Sequence, residues 1–332
     1  MTSPIYRRER TEHWNVMTAP RFSVVLPTHN RPKFLAEAVA SIAVQTMRDL
    51  EVIVVDDDSV PPAQPNDAGI SIRLIRHAQA QGGAASKNTG ASAARGELIA
   101  FLDDDDLYAP TYLERAAKAL DNNPDIDIVF MGVDWFGSRA EYGRDAYERG
   151  MTTVRAIAGG STAADGTILF EQSKLLEALL RLIPMAFQRP VMRRAAYERV
   201  GAYRKKSLLW DCDWALRAMM VCSAGLVLDP LYRQRVDGQG VSSQPARTLD
   251  HIRSNSEMKQ RLLNSNQDSP SAALIRRAAA QAWFDLAYHQ AQQRETIEAW
   301  HAWINSFRLR QSMAHFRLAA RIVLNSVTAR PR

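Results

Sequence analysis

Cysteine is almost missing from this chain: 332 residues contain two, Cys212 and Cys222. Two thiols cannot build a disulfide framework and lack metal-ligand spacing, so both read as core residues of a protein in a reducing cytoplasm. Long hydrophobic runs are missing as well. No stretch approaches the roughly 18 uncharged apolar residues of a membrane span, and the N-terminus has no apolar signal-peptide core, so an integral membrane protein is not expected. No Gly-x-Gly-x-x-Gly turn follows the first apolar run, which ends in Pro27-Thr28-His29-Asn30, and this disfavours a nicotinamide-binding fold. Acidic residues stop at Glu298, whereas Arg308, Arg310, Arg317, Arg321, Arg330 and Arg332 follow.

That acid-free end interleaves its arginines with Ile304, Phe307, Leu309, Met313, Phe316, Leu318, Ile322, Val323 and Val327, which approximates one amphipathic helix over 304–325. One reading is a packed terminal helix with a solvated basic face. The other is a peripheral anchor on the anionic inner face of a membrane. No nucleic-acid partner is expected, because no binding motif or aromatic–basic interleaving supports one.

What is present is a chain long enough for one large core, or a core with an appendage, carrying a modest net charge of +6. Residues 1–20 are polar and read as an arm. Strands are expected at 22–27, 51–56, 71–76, 97–102 and 126–134, with helices at 32–46, 84–94 and 110–121. This alternation predicts an α/β protein with a doubly wound, mostly parallel sheet. The stretch 136–168, rich in Gly, Ala, Ser and Thr with weak periodicity, reads as a mobile loop. Residues 169–182 look helical, 185–193 extended, and a short helix from Arg194 ends at Gly201. From 246 onward helical patterns dominate, broken at Asn264 to Pro270.

Two acidic clusters stand at predicted strand ends: Asp56-Asp57-Asp58-Ser59 after Glu51 to Val55, and Asp103-Asp104-Asp105-Asp106 after Leu98 to Leu102. Crowded carboxylates repel one another unless a cation or a hydrogen-bonded ligand neutralises them. In open α/β sheets, ligands bind at the carboxyl ends of strands. A nucleotide and metal site is the functional reading, and a pair of solvated acidic turns is the plain one.

The order of short elements around the clusters resembles family 2 glycosyltransferases of the GT-A fold. Pro27-Thr28-His29-Asn30 stands for the family's first strand-end turn, followed by Gln45-Thr46, Val55-Asp56-Asp57-Asp58-Ser59, Gly82-Gly83, Lys87-Asn88, Gly96-Glu97, Asp103 to Asp106, and Pro110. Matching elements extend over roughly 21–240 and fade after Pro110. There are departures. Asp58 replaces a glycine, which Asp tolerates because it adopts left-handed backbone angles better than most residues. Lys87 stands where Arg is common, turning a bidentate phosphate grip into a point charge. The resemblance implies an inverting transferase moving a sugar from a nucleotide diphosphate, of UDP type by family habit, to a hydroxyl acceptor that is a glycan or lipid-linked, in surface or capsular polysaccharide assembly.

The resemblance further implies Mn²⁺ or Mg²⁺ held by Asp105, with Asp103 and Asp104 near the nucleotide and Asp103 on ribose or a metal-bound water. Four adjacent aspartates allow more than one register. It implies that Asp57 accepts from the base and that Pro27 and Thr28 wall the base pocket. Lys87 becomes a diphosphate contact, or else a solvated surface lysine. Asp211, in Trp210-Asp211-Cys212-Asp213-Trp214, takes the general-base position, or else caps its helix; Asp213 reads as a first-turn dipole partner, and Trp210 and Trp214 as core, or else as packing for the acceptor pocket. Asn30 reads as a cap for the helix starting near Pro32, and Arg233 and Arg235 as a basic loop over the diphosphate. The implied organisation is a catalytic domain over 21–245, with a nucleotide-binding half at 21–110 and an acceptor half at 111–245, then a helical C-terminal region at 246–332. The rivals are a haloacid-dehalogenase-type phosphohydrolase using Asp56 to Asp58, which lacks a downstream Gly-Asp-x-x-x-Asp element, and a nucleotide-sugar-binding module without turnover.

Overall fold

The computed structural model describes residues 19–66, 68–237 and 248–328; the expected arm lies almost wholly outside them. Every residue of Leu50–Asp56 is buried, as in a strand covered on both faces. That strand, β2, pairs in parallel with β1 (Phe22–Thr28) and β3 (Ile72–Arg76). Helix α1 (Pro32–Ala43) buries Leu35, Ala38, Val39 and Ile42, one helical stripe, and starts on a proline whose missing N–H costs nothing there. Helix α2 (Gly83–Ala93) lies so close to β1 that a Cβ on Gly90 would fall 2.3 Å from Val25 Cγ1.

Next come β4 (Leu98–Phe101), β5 (Leu107–Tyr108), α3 (Tyr112–Asn122) and β6 (Ile128–Phe136). The following stretch is not the expected loop. It forms α4 (Ala140–Ala158), then a short hairpin of β7 (Ser161–Thr162) and β8 (Ile168–Leu169). Buried Met151, Val154 and Ala158 give α4 its packing stripe, and Gly143 lets it approach Trp135, where a Cβ would sit 2.6 Å from the ring. Contacts made elsewhere in the chain therefore stabilise a helix whose own pattern is weak. The sequence continues through α5 (Gln172–Arg181), a 3₁₀ turn at Met185–Gln188 in place of part of the expected extended run, β9 (Pro190–Arg193), α6 (Arg194–Val200), α7 (Trp210–Val221) and β10 (Ala224–Arg235).

The sheet order is β3-β2-β1-β4-β9-β6-β10-β8-β7, with β5 added against β10. Strand β9 runs antiparallel to both β4 and β6, so β1, β2, β4, β6 and β10 all present their carboxyl ends at one edge. The functional side chains gather there.

Four helices close the described chain: α8 (Thr248–Asn264), α9 (Ala272–Gln292), α10 (Thr296–Leu309) and α11 (Met313–Thr328). Met258, Leu262, Leu263, Ile275 and Ala279 join the main core, while Leu286, Ala287, Ala291, Ala299, Ala302, Leu318 and Ile322 form a second one. The expected single helix over 304–325 is two. The break falls at residues 310–312, and His315 of α11 ties the two helices together: buried, it hydrogen-bonds Ser306 Oγ and Ser312 Oγ (2.9 and 2.8 Å), and its carbonyl accepts from Trp303 Nε1 (2.8 Å). The Val327 side chain, Arg330 and Arg332 lie outside the described residues.

Candidate active site

A cavity of about 650 Å³ opens at the carboxyl edge of the sheet. Pro27, Thr28, Asp57, Asp103, Asp104, Asp105 and Asp211 all line it; Lys87 does not. The first acidic turn forms with Asp58 in the left-handed region (φ 65°), as the departure from glycine requires. Asp56 is fully buried and accepts from Ser59 N (2.9 Å), Ala63 N (3.0 Å) and the Arg76 guanidinium. A carboxylate so enclosed cannot attack phosphorus in line, which removes the phosphohydrolase reading for that residue. Asp57 Oδ1 accepts from His77 Nδ1 (2.6 Å) and Gln81 N (2.9 Å), and Oδ2 from Gly82 N (2.7 Å). Burial pushes its carboxyl up, but these donors outweigh burial and hold it below the ordinary value. One lone pair of Oδ2 stays free of these bonds.

Asn30 is not a helix cap. Its own backbone has φ 55°, its N–H donates to Ser59 Oγ (2.9 Å), and its Oδ1 accepts from Val60 N (2.7 Å). It thus clamps the β1 turn to the first acidic turn, leaving Arg31 at the cap position, where a cation opposes the helix dipole. The compensation is electrostatic: Arg31 Nη1 donates to Asp104 Oδ1 (3.1 Å) and Asp105 Oδ2 (3.0 Å).

The four adjacent aspartates are sorted by the fold into two kinds. Asp104 accepts from Thr28 Oγ1 (2.7 Å), and Asp106 accepts from Tyr232 Oη (2.7 Å) and Arg235 N (2.9 Å); both are buried. Burial raises the carboxyl of Asp104 to about 6 and that of Asp106 to about 7, against Arg31 and Arg189 respectively. Asp103 and Asp105 keep side-chain exposures of 22% and 20%, which leaves them the pair able to meet a ligand. Burial would raise Asp103 too, but Arg189 and Lys87 overcome it and hold the carboxyl at about 2. Burial and the Asp103 charge raise Asp105.

Among the described residues no cluster of three or more His, Cys, Asp or Glu side chains forms a cage for a metal. A hard cation that keeps its water and phosphate ligands needs only one or two carboxylates. Asp105 and Asp103 are the carboxylates that could supply such a donor set, and an added positive charge would offset the burial and the Asp103 charge that together hold the Asp105 carboxyl up.

Lys87 is 1% exposed, which rules out a solvated surface lysine. Its Nζ meets Asp103 Oδ1 at 2.6 Å from inside the protein and sits 4.7 Å from the Trp210 ring. Sequence reasoning missed Arg189. This buried guanidinium lies 2.8 Å from Asp103 Oδ2 and 3.6 Å from Asp211 Oδ2, and donates through Nε to Tyr232 Oη (3.2 Å). The available signal was a charge inside the apolar run Met185 to Met192, because a buried charge must be paired.

Asp211 lies in the second position of α7, whose cap is Leu209, so capping is not its role. Its Oδ1 accepts from Cys212 N (2.8 Å), and Oδ2 faces Arg189. Asp213 is no mere dipole partner. At 2% exposure it accepts from Arg204 Nη1 (2.7 Å) and Arg217 Nε (2.8 Å), while Arg217 also binds the carbonyls of Val200 and Ala202. That clamp fixes the segment before α7. Trp214 is core, donating to Gly201 O (2.9 Å), whereas Trp210 lines the cavity. Arg235 belongs to β10 and braces the second cluster through Asp105 O (2.9 Å) and Glu37.

Residues 23–170 match the family model described as Glycosyl transferase family 2. That segment, a little under half of the chain, is a glycosyl transferase family 2 sequence. An uncharacterized glycosyltransferase of Methanocaldococcus jannaschii is 37% identical over 126 residues, covering 35% of this chain and 43% of that protein. The succinoglycan biosynthesis protein ExoW of Rhizobium meliloti is 25% identical over 221 residues, 61% of this chain and 67% of its own length. The chain spans less than half the length of the curated relatives it matches at 30% identity or more. Among solved structures, S. aureus TarS 1–349 in complex with UDP-GlcNAc superposes with a TM-score of 0.63 at 16% identity, covering 92% of this chain and 89% of that one. The mannosyltransferase PcManGT from Pyrobaculum calidifontis, in complex with GDP-Man and Mn²⁺, gives 0.55 at 19% identity, covering 94% and 82%. At such identities these two structures establish the shared fold, a GT-A-like sheet followed by C-terminal helices.

Proposed function

We propose that this chain is an inverting glycosyltransferase that moves a sugar from a nucleotide-diphosphate donor, of UDP type, to a hydroxyl acceptor. The carrying observation is that one cavity holds both the Asp103 to Asp106 element and Asp211, a carboxylate from a separate helix, with Arg189 the shared partner of Asp103 and Asp211. TarS with UDP-GlcNAc and PcManGT with GDP-Man support a nucleotide-sugar donor on this fold. Pro27 and Thr28 wall the nucleoside end, and the spare lone pair of Asp57 Oδ2 accepts from the base. Asp105, with Asp103, would hold Mn²⁺ or Mg²⁺, which when bound offsets the charge growing on the departing diphosphate. Asp104 supports the diphosphate element through Thr28, and Lys87 keeps Asp103 ionised. Asp211 takes the acceptor's proton as the hydroxyl oxygen attacks the anomeric carbon opposite the leaving diphosphate, so configuration inverts and no glycosyl-enzyme forms.

In this reading 21–245 is the catalytic domain, with the nucleotide in the 21–110 half and the acceptor in the 111–245 half, and 246–332 is a helical extension. The likeness to ExoW supports surface polysaccharide assembly. No helix among the described residues is long and apolar enough to cross a membrane. Helix α11 instead has two apolar stripes. Leu318 and Ile322 pack inward, whereas Met313, Phe316, Val323 and Leu324 are exposed beside Arg317 and Arg321, which favours peripheral contact with an anionic bilayer and a lipid-linked acceptor.

The test is thermal stabilisation by UDP, GDP and dTDP, each with and without Mn²⁺, since a ligand of the folded state raises its stability by mass action. UDP should stabilise most, and more with Mn²⁺, and Asp105→Asn should lose the metal-dependent part alone. No stabilisation by any nucleotide would overturn the reading.

A further inference from the structure

The far end of the cavity carries three buried polar atoms with no hydrogen-bond partner: Trp135 Nε1, Gln234 Oε1 and His251 Nε2, from β6, β10 and α8. Their placement is not accidental to the sheet. An irregularity between Val227 and Tyr232 resets the β10 register, so that Gln234 stands directly opposite Trp135 in the parallel ladder. Tyr232 and Gln234 are two residues apart and share a face of β10. Tyr232 already reaches Asp106 and Arg189 on that face, so Gln234 and Trp135 continue the same wall one pleat further on.

Strand order says which part of a substrate arrives there. Pro27, Thr28 and Asp57 sit at the ends of β1 and β2, the Asp103 to Asp106 element follows β4, and β6 with β10 lies beyond β9 on the other side. The three orphan atoms are therefore past the diphosphate element, away from the nucleoside end. An indole N–H that only donates stands beside an amide oxygen that only accepts, with a ring nitrogen that does either according to its tautomer. Sugar hydroxyls donate and accept at once and sit on a ring whose C–H faces pack on indole. A hydrocarbon chain would leave all three atoms unpaired.

We propose that Trp135, Gln234 and His251 form an acceptor subsite that recognises the hydroxyls of a saccharide ring, so that the C-terminal helical region completes the site through His251. This rests on the glycosyltransferase reading above for the word acceptor, and on the orphan atoms for the ligand class.

The experiment is saturation-transfer NMR of the full chain with methyl glycosides of glucose, galactose, mannose and N-acetylglucosamine and their β-linked disaccharides, with nucleotide-induced thermal shifts recorded on the same samples. Trp135→Phe deletes the N–H while keeping a ring against Gly143 and Tyr147; Gln234→Leu deletes the acceptor independently. Each variant should bind the glycoside about 10-fold more weakly, as expected for one lost hydrogen bond in a buried site, with its nucleotide shift retained. Equal glycoside binding in both variants, or no glycoside bound by the parent at millimolar concentration, overturns the subsite. A parent that binds glycoside through Trp135 and Gln234 yet gains nothing from any nucleotide supports the subsite and overturns the donor reading instead.

Discussion

Replacing Arg189 by methionine should test whether the centre of this site is held together by one buried guanidinium. The arginine is 7% exposed and lies 2.8 Å from Asp103 and 3.6 Å from Asp211, with its Nε on Tyr232. Two routes give the magnitude. The drop of the Asp103 carboxyl from 3.8 to about 2 is worth about 2 kcal/mol at neutral pH, shared between Arg189 and Lys87. Removing one partner of a buried ion pair typically costs about 3–5 kcal/mol. Arg189→Met should therefore lose about 2–5 kcal/mol in urea unfolding at pH 7.5. The pH dependence carries the sign. Because the folded-state carboxyl is depressed, its contribution is present above about pH 4 and lost as pH falls toward about 2. Without Arg189 burial dominates, the carboxyl rises, and that acid-side loss should begin at a higher pH than in the parent. A variant within 1 kcal/mol of the parent, with an unchanged acid profile, would refute the ion-pair account of the site.

Asp211→Asn should bind nucleotide like the parent and transfer sugar about 10²–10⁴-fold more slowly, with product of inverted configuration by NMR; parental transfer would remove Asp211 from the base position. Lys259 in α8 is 7% exposed, and burial lowers its ammonium to about 8. A lysine depressed in this way favours the folded state above its unfolded value and loses that contribution as pH falls through about 8, so the charged form burdens the fold at pH 7. Lys259→Met should accordingly be more stable at pH 7 by up to about 3 kcal/mol, a gain shrinking toward pH 10, and urea melts at pH 7, 8.5 and 10 would show its absence. Phe316→Ser combined with Leu324→Ser should leave the second core intact and cut flotation with anionic liposomes at low salt at least 10-fold, since each exposed apolar side chain contributes about 1.5–3 kcal/mol when buried in the interface. Capture equal to the parent would show that α11 is not the contact.

Much of the architecture was legible along the chain because the relevant signals are local. The runs at Val24 to Leu26, Val52 to Val55 and Leu98 to Leu102 are too uniformly apolar for a half-exposed strand, and β1, β2 and β4 are buried on both faces. Pro32 and Gly201 mark the ends of α1 and α6 where the chain itself enforces them. The acidic turns could be placed at strand ends for the same reason, and so could the need to neutralise them. Helix α4 was not legible: its stripe of Met151, Val154 and Ala158 is thin, and the helix is stabilised by surfaces contributed elsewhere.

What lies beyond any local pattern is partnership across the sequence. Four consecutive aspartates are equivalent until Thr28 ties down Asp104, and Tyr232 and Arg235 tie down Asp106, which leaves Asp103 and Asp105 the more exposed pair of the four at the cavity. Asp211 and Asp213 alternate on one helix turn, yet Arg204 and Arg217 enclose the second while Arg189 turns the first toward Asp103. The sequence by itself determined where carboxylates would crowd, because strand ends and residue types are written in neighbouring positions. Only the tertiary structure decided which of them a ligand can reach, because burial and pairing come from residues as distant as Tyr232, 126 positions from Asp106, brought together by strand order rather than by spacing.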